Sequence, residues 1–504
     1  MAEPQHERRT VSPRASASAA SASAASAASA ASAASAASAA SAASAAPAAP
    51  AASTPPPLPP GATGLPLLGE TLPFLKDGFG FVASRTARHG PVWKTRILGR
   101  STAVLAGPDA SGRFIDSEVQ RGGAMPPHVQ ELFGGISLPL LDGDPHLSRK
   151  TFILQAFTRE AMAAYLPVIE RLVGEALARW AGQEEIVWIP ELKRLSIELI
   201  CAAVMGMPPG AETDALRADY QLVLRAFSHL PVPLPGTAYS RGRAALGRIL
   251  ARFAAVIAEH RREARDDGLS RILAATDAAG RQIGVEECQV ELHHLVIAGL
   301  IVFAELGAIV QRLTDHPDVR ARLQAEVEAL ALARPAERPP GGDGGAAGLT
   351  HQALAGAPYL LQVIMEVKRL CPILPVLFGK ARQSFEFKGY TVPAGWMVLW
   401  AHRASHVTAE IYPDPERFDP GRFAPERGEH LRHPYAFVPH GAGPAHGHRC
   451  PGTDFATTLM QVFTILLLRG YTWELAPGQD LAYDWSLIPP EPKDGLRARL
   501  RHRS

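Results

Sequence analysis

Cys450 joins two stretches of opposite character. Upstream lies Phe437-Val-Pro-His-Gly-Ala-Gly-Pro-Ala-His-Gly-His-Arg-Cys-Pro-Gly452, a loop by its Gly, Pro and His content. Downstream, Thr453-Asp-Phe-Ala-Thr-Thr-Leu-Met-Gln-Val-Phe-Thr-Ile-Leu-Leu-Leu468 reads as a long apolar helix. Any fold of this chain therefore presents Cys450 at a helix N-terminus. There the helix dipole and free backbone N–H groups favour the thiolate, so the position predicts a lowered thiol pKa. A thiolate held in this way is a good axial ligand for heme iron, pushing electron density onto the metal. A buried structural cysteine is the plain alternative.

The loop resembles the heme-thiolate motif of the cytochrome P450 family, where most members have Phe-x-x-Gly-x-x-x-Cys-x-Gly. Cys450 and Gly452 match, but the interval from Phe437 to Cys450 is six residues longer. The enlarged loop, with Gly447-His-Arg-Cys-Pro-Gly452, resembles the peroxide-using fatty-acid hydroxylase branch. The body of the chain is similar to the cyanobacterial and retinoid-oxidising branches, as in Gly64-Leu-Pro-Leu-Leu-Gly-Glu-Thr-Leu72, Tyr471-Thr-Trp-Glu-Leu475 and Pro492-Lys-Asp-Gly495. The resemblance covers roughly residues 58–500. It implies one large, mainly α domain with smaller β-sheets and a heme b cofactor, although length alone suggests two domains.

Bulk properties agree with an enzyme of small molecules. The chain carries 51 basic and 49 acidic residues, a formal net charge of +2. Neither nucleic acid nor an anionic membrane is expected as the main partner. Cys201, Cys288, Cys371 and Cys450 are widely spaced, with no CxxC or zinc pattern, which fits a reducing compartment and a cytoplasmic location. No apolar stretch reads as a membrane span; the closest, Leu292 to Leu306, is interrupted by His293, His294 and Glu305.

Residues 1–54 are low in complexity, and from Ser16 to Ser44 only Ala and Ser occur. Nothing there can bury enough surface to offset ordering, so a disordered tail is expected. Its serines with Arg8, Arg9 and Arg14 faintly resemble a transit peptide, against which Glu3 and Glu7 count. The P450-like domain is expected over residues 55–504. Pro55 to Gly61 is a stiff leader, and Arg88 to Leu105 alternates as a hairpin does. Ala156 to about Leu332 is mainly helical. Pro335 to Gly348 is a Pro/Gly-rich break, and strands return at Phe385–Phe387 and Trp396–Leu399.

Glu366 and Arg369 are three apart on a helix beginning near Tyr359, hence on one face. Alone, such a pair is common and worth little. The resemblance implies that it is buried and joined by Arg422 of Pro420-Gly-Arg-Phe423, one carboxylate being shared by two guanidiniums. The resemblance also places His146, Arg149 and Lys150 beside a heme propionate. Arg382, His448 and Arg449 are further candidates, and a solvated basic turn is the alternative for His146–Lys150.

Glu291 to Glu305 stands where the family carries Ala-Gly-x-Asp/Glu-Thr on its oxygen-activation helix. Ala298 and Gly299 are present, but the acid and alcohol positions fall on Ile301 and Val302, which have neither donor nor acceptor. The peroxide-using branch has Arg-Pro there, and the matching positions are Ile297 and Ala298. His293 and His294, one turn earlier, are candidate polar groups of the distal pocket, with ordinary packing as the alternative. Ile297, Ile301, Val376, Leu377 and Phe378 are expected to line a lipophilic substrate pocket, by resemblance.

The leading expectation is C–H hydroxylation of a lipophilic small molecule such as a fatty acid or terpenoid, with hydrogen peroxide as oxidant. The alternatives are an O2-dependent monooxygenase served by a ferredoxin or flavin reductase, a non-oxygenating heme-thiolate isomerase or dehydratase, and a degenerate heme-binding protein.

Overall fold

The computed structural model describes residues 56–330 and 348–503 except residues 67, 228 and 372. The Ala/Ser-rich segment 1–54 and most of the Pro335–Gly348 break lie outside the described residues. From Pro56 onward the chain forms one unit.

Alternation of apolar residues makes the main sheet. β1 (Val92–Ile97) and β2 (Arg100–Ala106) form the expected hairpin. Its two-residue turn has Leu98 and Gly99 at φ 51° and 73°, the left-handed geometry that suits a twisted hairpin. β3 (Val119–Gln120), β4 (Leu377–Ala381) and β5 (Met397–Ala401) complete five strands in the order β1-β2-β5-β4-β3. β2 runs parallel to β5, and both are apolar on both faces because the sheet is covered on both sides. A hairpin of Phe385–Phe387 with Tyr390–Val392 and smaller sheets complete the β content.

Helices make up the larger part. In chain order those that position the site are α1 (Gly143–Leu154), α2 (Arg159–Ala181), α3 (Trp188–Met205), α4 (Ala211–Phe227), α5 (Ala238–Arg262) and α6 (Gly268–Ala274). They are followed by α7 (Val285–Leu300), α8 (Phe303–Asp315), α9 (Pro358–Leu370) and α10 (Thr453–Gly470). α10 is buried along nearly its whole length and packs on α2, α8 and α9. That is the expected fate of a helix apolar on all sides.

α7 and α8 pack on α3 in the middle of the core. Counted as one run, Val285–Asp315 is long and apolar enough to cross a membrane by length and composition only. Within the fold, however, 72% of its apolar window is buried, as for a core helix.

Candidate active site

Cys450 is half-buried at the approach to α10. Its N–H donates to His440 O at 3.0 Å, and its own carbonyl accepts from Thr453 Oγ at 3.0 Å. Gly441 and Gly443, at φ 86° and 96°, supply the left-handed turns that fold the enlarged loop. The thiol departs from the sequence expectation. Burial pushes its pKa above the ordinary value, although the Gly452 N–H, Lys150 and Lys368 pull it down. The helix terminus acts in the expected direction, but desolvation outweighs it. A coordinating metal deprotonates a thiol outright, so a raised pKa does not disqualify a ligand.

A basic cluster surrounds this loop. Lys150, 1% exposed, donates from Nζ to Arg449 O at 2.5 Å, and burial lowers its pKa to about 8. His146 is buried on the same helix, its ring 4.0 Å from that of His448. Burial, then His448 and Lys150, bring its pKa to about 4. His448 Nε2 lies 3.7 Å from Asp142. The Arg449 side chain is exposed, and its carbonyl is what meets Lys150.

Two of the sequence-derived candidates belong elsewhere. Arg149, adjacent to Lys150, points to the opposite neighbour. It donates to Glu291 and Glu287, each at 2.8 Å, and so ties α1 to α7 rather than facing the loop. Arg382 follows the end of β4 and is exposed; only its backbone is held, by Glu118 O at 2.7 Å. In its stead Arg121, just after β3, is buried against the ring of Phe114 at 3.8 Å. Sequence reasoning missed it because nothing in Val119-Gln-Arg-Gly-Gly123 sets this arginine apart.

The donor set fits an iron porphyrin. It offers one sulfur at a helix N-terminus, together with buried cations whose donors are not all used. Arg121 Nη1 and His146 Nε2 are buried with no hydrogen-bond partner among the described residues, as suits groups that donate to the carboxylates of a bound molecule.

Beneath the cysteine loop, Arg369 grips Glu366 with two hydrogen bonds of 2.7 and 2.8 Å, both side chains being fully buried. The remaining donors of Arg369 reach His406 O and Pro415 O. Arg422 Nε approaches Glu366 at 3.4 Å, but its firm carboxylate bond is to Glu429 at 3.0 Å. The structure thus makes four partners of the expected three. Burial pushes the Glu366 carboxyl upward, while Arg369, the Asp419 N–H and Arg422 counter it.

The distal run breaks at its chemically decisive point. α7 ends at Leu300 and α8 begins at Phe303, with Ile301 and Val302 between them. Val302 N–H turns to Gly299 O and Ala304 N–H to Ile301 O, three-residue bonds inside an otherwise α-helical ladder. A Cβ on Gly299 would meet Ile200 at 2.7 Å, so this glycine is what lets α7 approach α3.

Both distal histidines are engaged with protein partners, as in the packing alternative the sequence offered. His293 is fully buried, its Nε2 on Leu132 O at 2.9 Å and its Nδ1 facing the Tyr220 hydroxyl at 3.2 Å. Burial lowers its pKa to about 4. His294 pairs with Glu291 at 3.3 Å. Glu305, one turn beyond Ile301, is buried and meets His440 of the cysteine loop at 3.3 Å.

Among the expected pocket residues, Ile297 packs in the main core, while Leu377 and Phe378 are half-buried at the start of β4. Val376 is sunk in a separate cluster with Phe81, Trp93 and Met397, against which Phe378 also packs.

Comparison with known proteins decides the family. The sequence matches Cytochrome P450 over residues 59–491. The chain belongs to the cytochrome P450 family. Its members are oxidoreductases that bind heme b. It is 32% identical over 450 residues to cytochrome P450 120 of Synechocystis sp., covering 88% of this chain and 97% of that one. It is 29% identical to abscisic acid 8'-hydroxylase 2 of Oryza sativa, covering 88% of this chain and 86% of that one. Among solved structures, retinoic acid bound cyanobacterial CYP120A1 superposes with a TM-score of 0.80 at 31% identity, covering 89% of this chain and 100% of that one.

Proposed function

We propose that this P450 hydroxylates a lipophilic small molecule, a fatty acid or terpenoid, with hydrogen peroxide as oxidant. In this reading Cys450 would hold the heme iron through its sulfur. Lys150 and His146, with His448 and Arg449 beside the cysteine, form the basic side of the heme site. Glu366, Arg369 and Arg422, joined by Glu429, lock the fold around the cysteine loop. When bound, thiolate-ligated heme supplies cleavage of an O–O bond and insertion of one oxygen atom into a C–H bond. The balance is R–H + H2O2 → R–OH + H2O, with no external electrons.

The observation that carries this choice is the aliphatic pair at the helix break. Starting from O2, the same oxygen transfer needs two electrons and two protons, and peroxide arrives with both. Ile301 and Val302 neither donate nor accept a proton. Nearby polar side chains of this run have partners elsewhere, His293 in Leu132 and Tyr220, His294 in Glu291, and Glu305 through Oε1 in His440 of the cysteine loop, its Oε2 being buried with no partner among the described residues. The long cysteine loop adds the second support, through its likeness to the peroxide-using branch. Relatives named for abscisic acid, and the related structure with retinoic acid bound, support a lipophilic substrate. Ile297, Ile301, Val376, Leu377 and Phe378 are the residues proposed to face it.

The test is to incubate the purified protein with hydrogen peroxide and a panel of fatty acids and terpenoids. Hydroxylated product without any reductase is expected. Product only with O2 and a surrogate ferredoxin or flavin reductase overturns the choice of oxidant.

A further inference from the structure

The basic cluster contains a cation that no sequence motif announced. Arg121 is 8% exposed, and its guanidinium stacks on Phe114 and donates from Nη2 to Phe114 O at 3.2 Å. Its backbone N–H donates to both oxygens of Asp142 at 2.9 Å. The same carboxylate faces His448 of the cysteine loop. One aspartate therefore joins the Arg121 turn to the residue two before Cys450.

The Arg121 guanidinium is held in place but not neutralised. Asp142 hydrogen-bonds its backbone and acts on the side chain only across space, and Nη1, though buried, has no partner among the described residues. An unpaired buried donor of this kind costs free energy, more so when charged. Such a cost persists where a ligand supplies the acceptor.

Strand β4 is shaped around the guanidinium. A Cβ placed on Gly379 would lie 2.5 Å from Val119, 2.8 Å from Phe114 and 3.3 Å from Arg121 Nη1. Any side chain there would push on the stack that holds the arginine. Glycine at this strand position is explained by the need for that space. His146, a neutral ring whose Nε2 has no partner among the described residues, and the buried Lys150 belong to the same cluster.

We infer that Arg121 binds a carboxylate of the heme, in the role the sequence suggested for Arg382, and that Gly379 exists to admit it. This rests on the heme reading above. Arg121 acts as a binding residue, and a planar guanidinium suits a carboxylate better than an ammonium does.

The test uses holoprotein and reads the heme itself. Arg121→Met is expected to keep the thiolate-type Soret band of the carbonyl complex. It is also expected to release heme to an acceptor apo-globin roughly tenfold faster or more, the effect of losing one charge-assisted hydrogen bond. The propionate-bending band in resonance Raman shifts with it, a change that a purely structural arginine would not produce. Arg121→Lys recovers part of both, and serves as the reading if Arg121→Met does not fold. Wild-type heme release and an unmoved propionate band in these variants overturn the assignment of Arg121. Absence of a thiolate-type band in the wild type removes the heme reading instead.

Discussion

At the scale of single residues, burial decides which charges matter. Glu366 and Arg369 are fully buried and bonded twice, with Arg422 and Glu429 closing the set. Removing one partner strands a buried charge, so Glu366→Ala or Arg369→Ala should cost about 3–5 kcal/mol in urea unfolding. The exposed Arg171–Glu175 pair on α2 makes a similar contact at 3.0 Å. Glu175→Ala should cost no more than about 0.5 kcal/mol. The Glu366–Arg369 pair was readable from spacing alone, since three residues bring side chains onto one helix face. Glu429 was not, because its approach depends on how the loop after Pro420 folds back. Arg149 and Lys150 show the limit more sharply. Neighbours on a helix point about 100° apart, and sequence does not say which of them meets the cysteine loop. The carboxylates of α7 decide it, claiming Arg149 and leaving Lys150.

At the scale of elements, the break between α7 and α8 is the most informative feature. Sequence singled out Ile301 and Val302 as the positions lacking an acid and an alcohol, but not as a break. That the ladder also changes its hydrogen-bond spacing there was not visible, because the β-branched Ile301 and Val302 lower helix propensity only slightly. Restoring polar groups tests the reading. Ile301→Glu with Val302→Thr should raise turnover on O2 with a surrogate reductase by about tenfold or more, from proton delivery by a positioned acid. Product formation assayed with each oxidant checks it, and no gain on O2 counts against the role given to these positions.

The junction of α5 and α6 carries a second element-scale prediction. Asp267 caps α6, accepting Ser270 N–H at 2.8 Å, and binds His260 of α5 at 2.8 Å. The aspartate raises the His260 pKa against its burial, and the Asp267 pKa is lowered by His260 and the Ser270 N–H, also against burial. The pair contributes fully between the two unfolded values, roughly pH 4 and 6.5. Its contribution falls as pH rises through the raised histidine pKa, and again as pH drops through the lowered aspartate pKa. Asp267→Asn keeps the cap and removes the charge. It should lower stability by about 1–3 kcal/mol near pH 6 and flatten the profile on either side, as read by denaturant midpoints across pH.

At the scale of the whole molecule, the family fold was legible because its strongest signals are local. These are a buried apolar helix after a cysteine loop, a Glu-x-x-Arg pair and an alternating hairpin, and each kept its expected place. The heme-carboxylate side was the less legible part, because Arg121, Asp142, His146, Gly379 and His448 meet only after the sheet and α1 are assembled. Everything proposed for the site converges on one sulfur at the N-terminal end of α10. The measurement that tests this most directly is the absorption spectrum of the reduced, carbon-monoxide-bound protein. A red-shifted Soret band in the wild type, lost in Cys450→Ala, is the predicted result. A wild type without that band, or a Cys450→Ala variant that keeps it, contradicts the account.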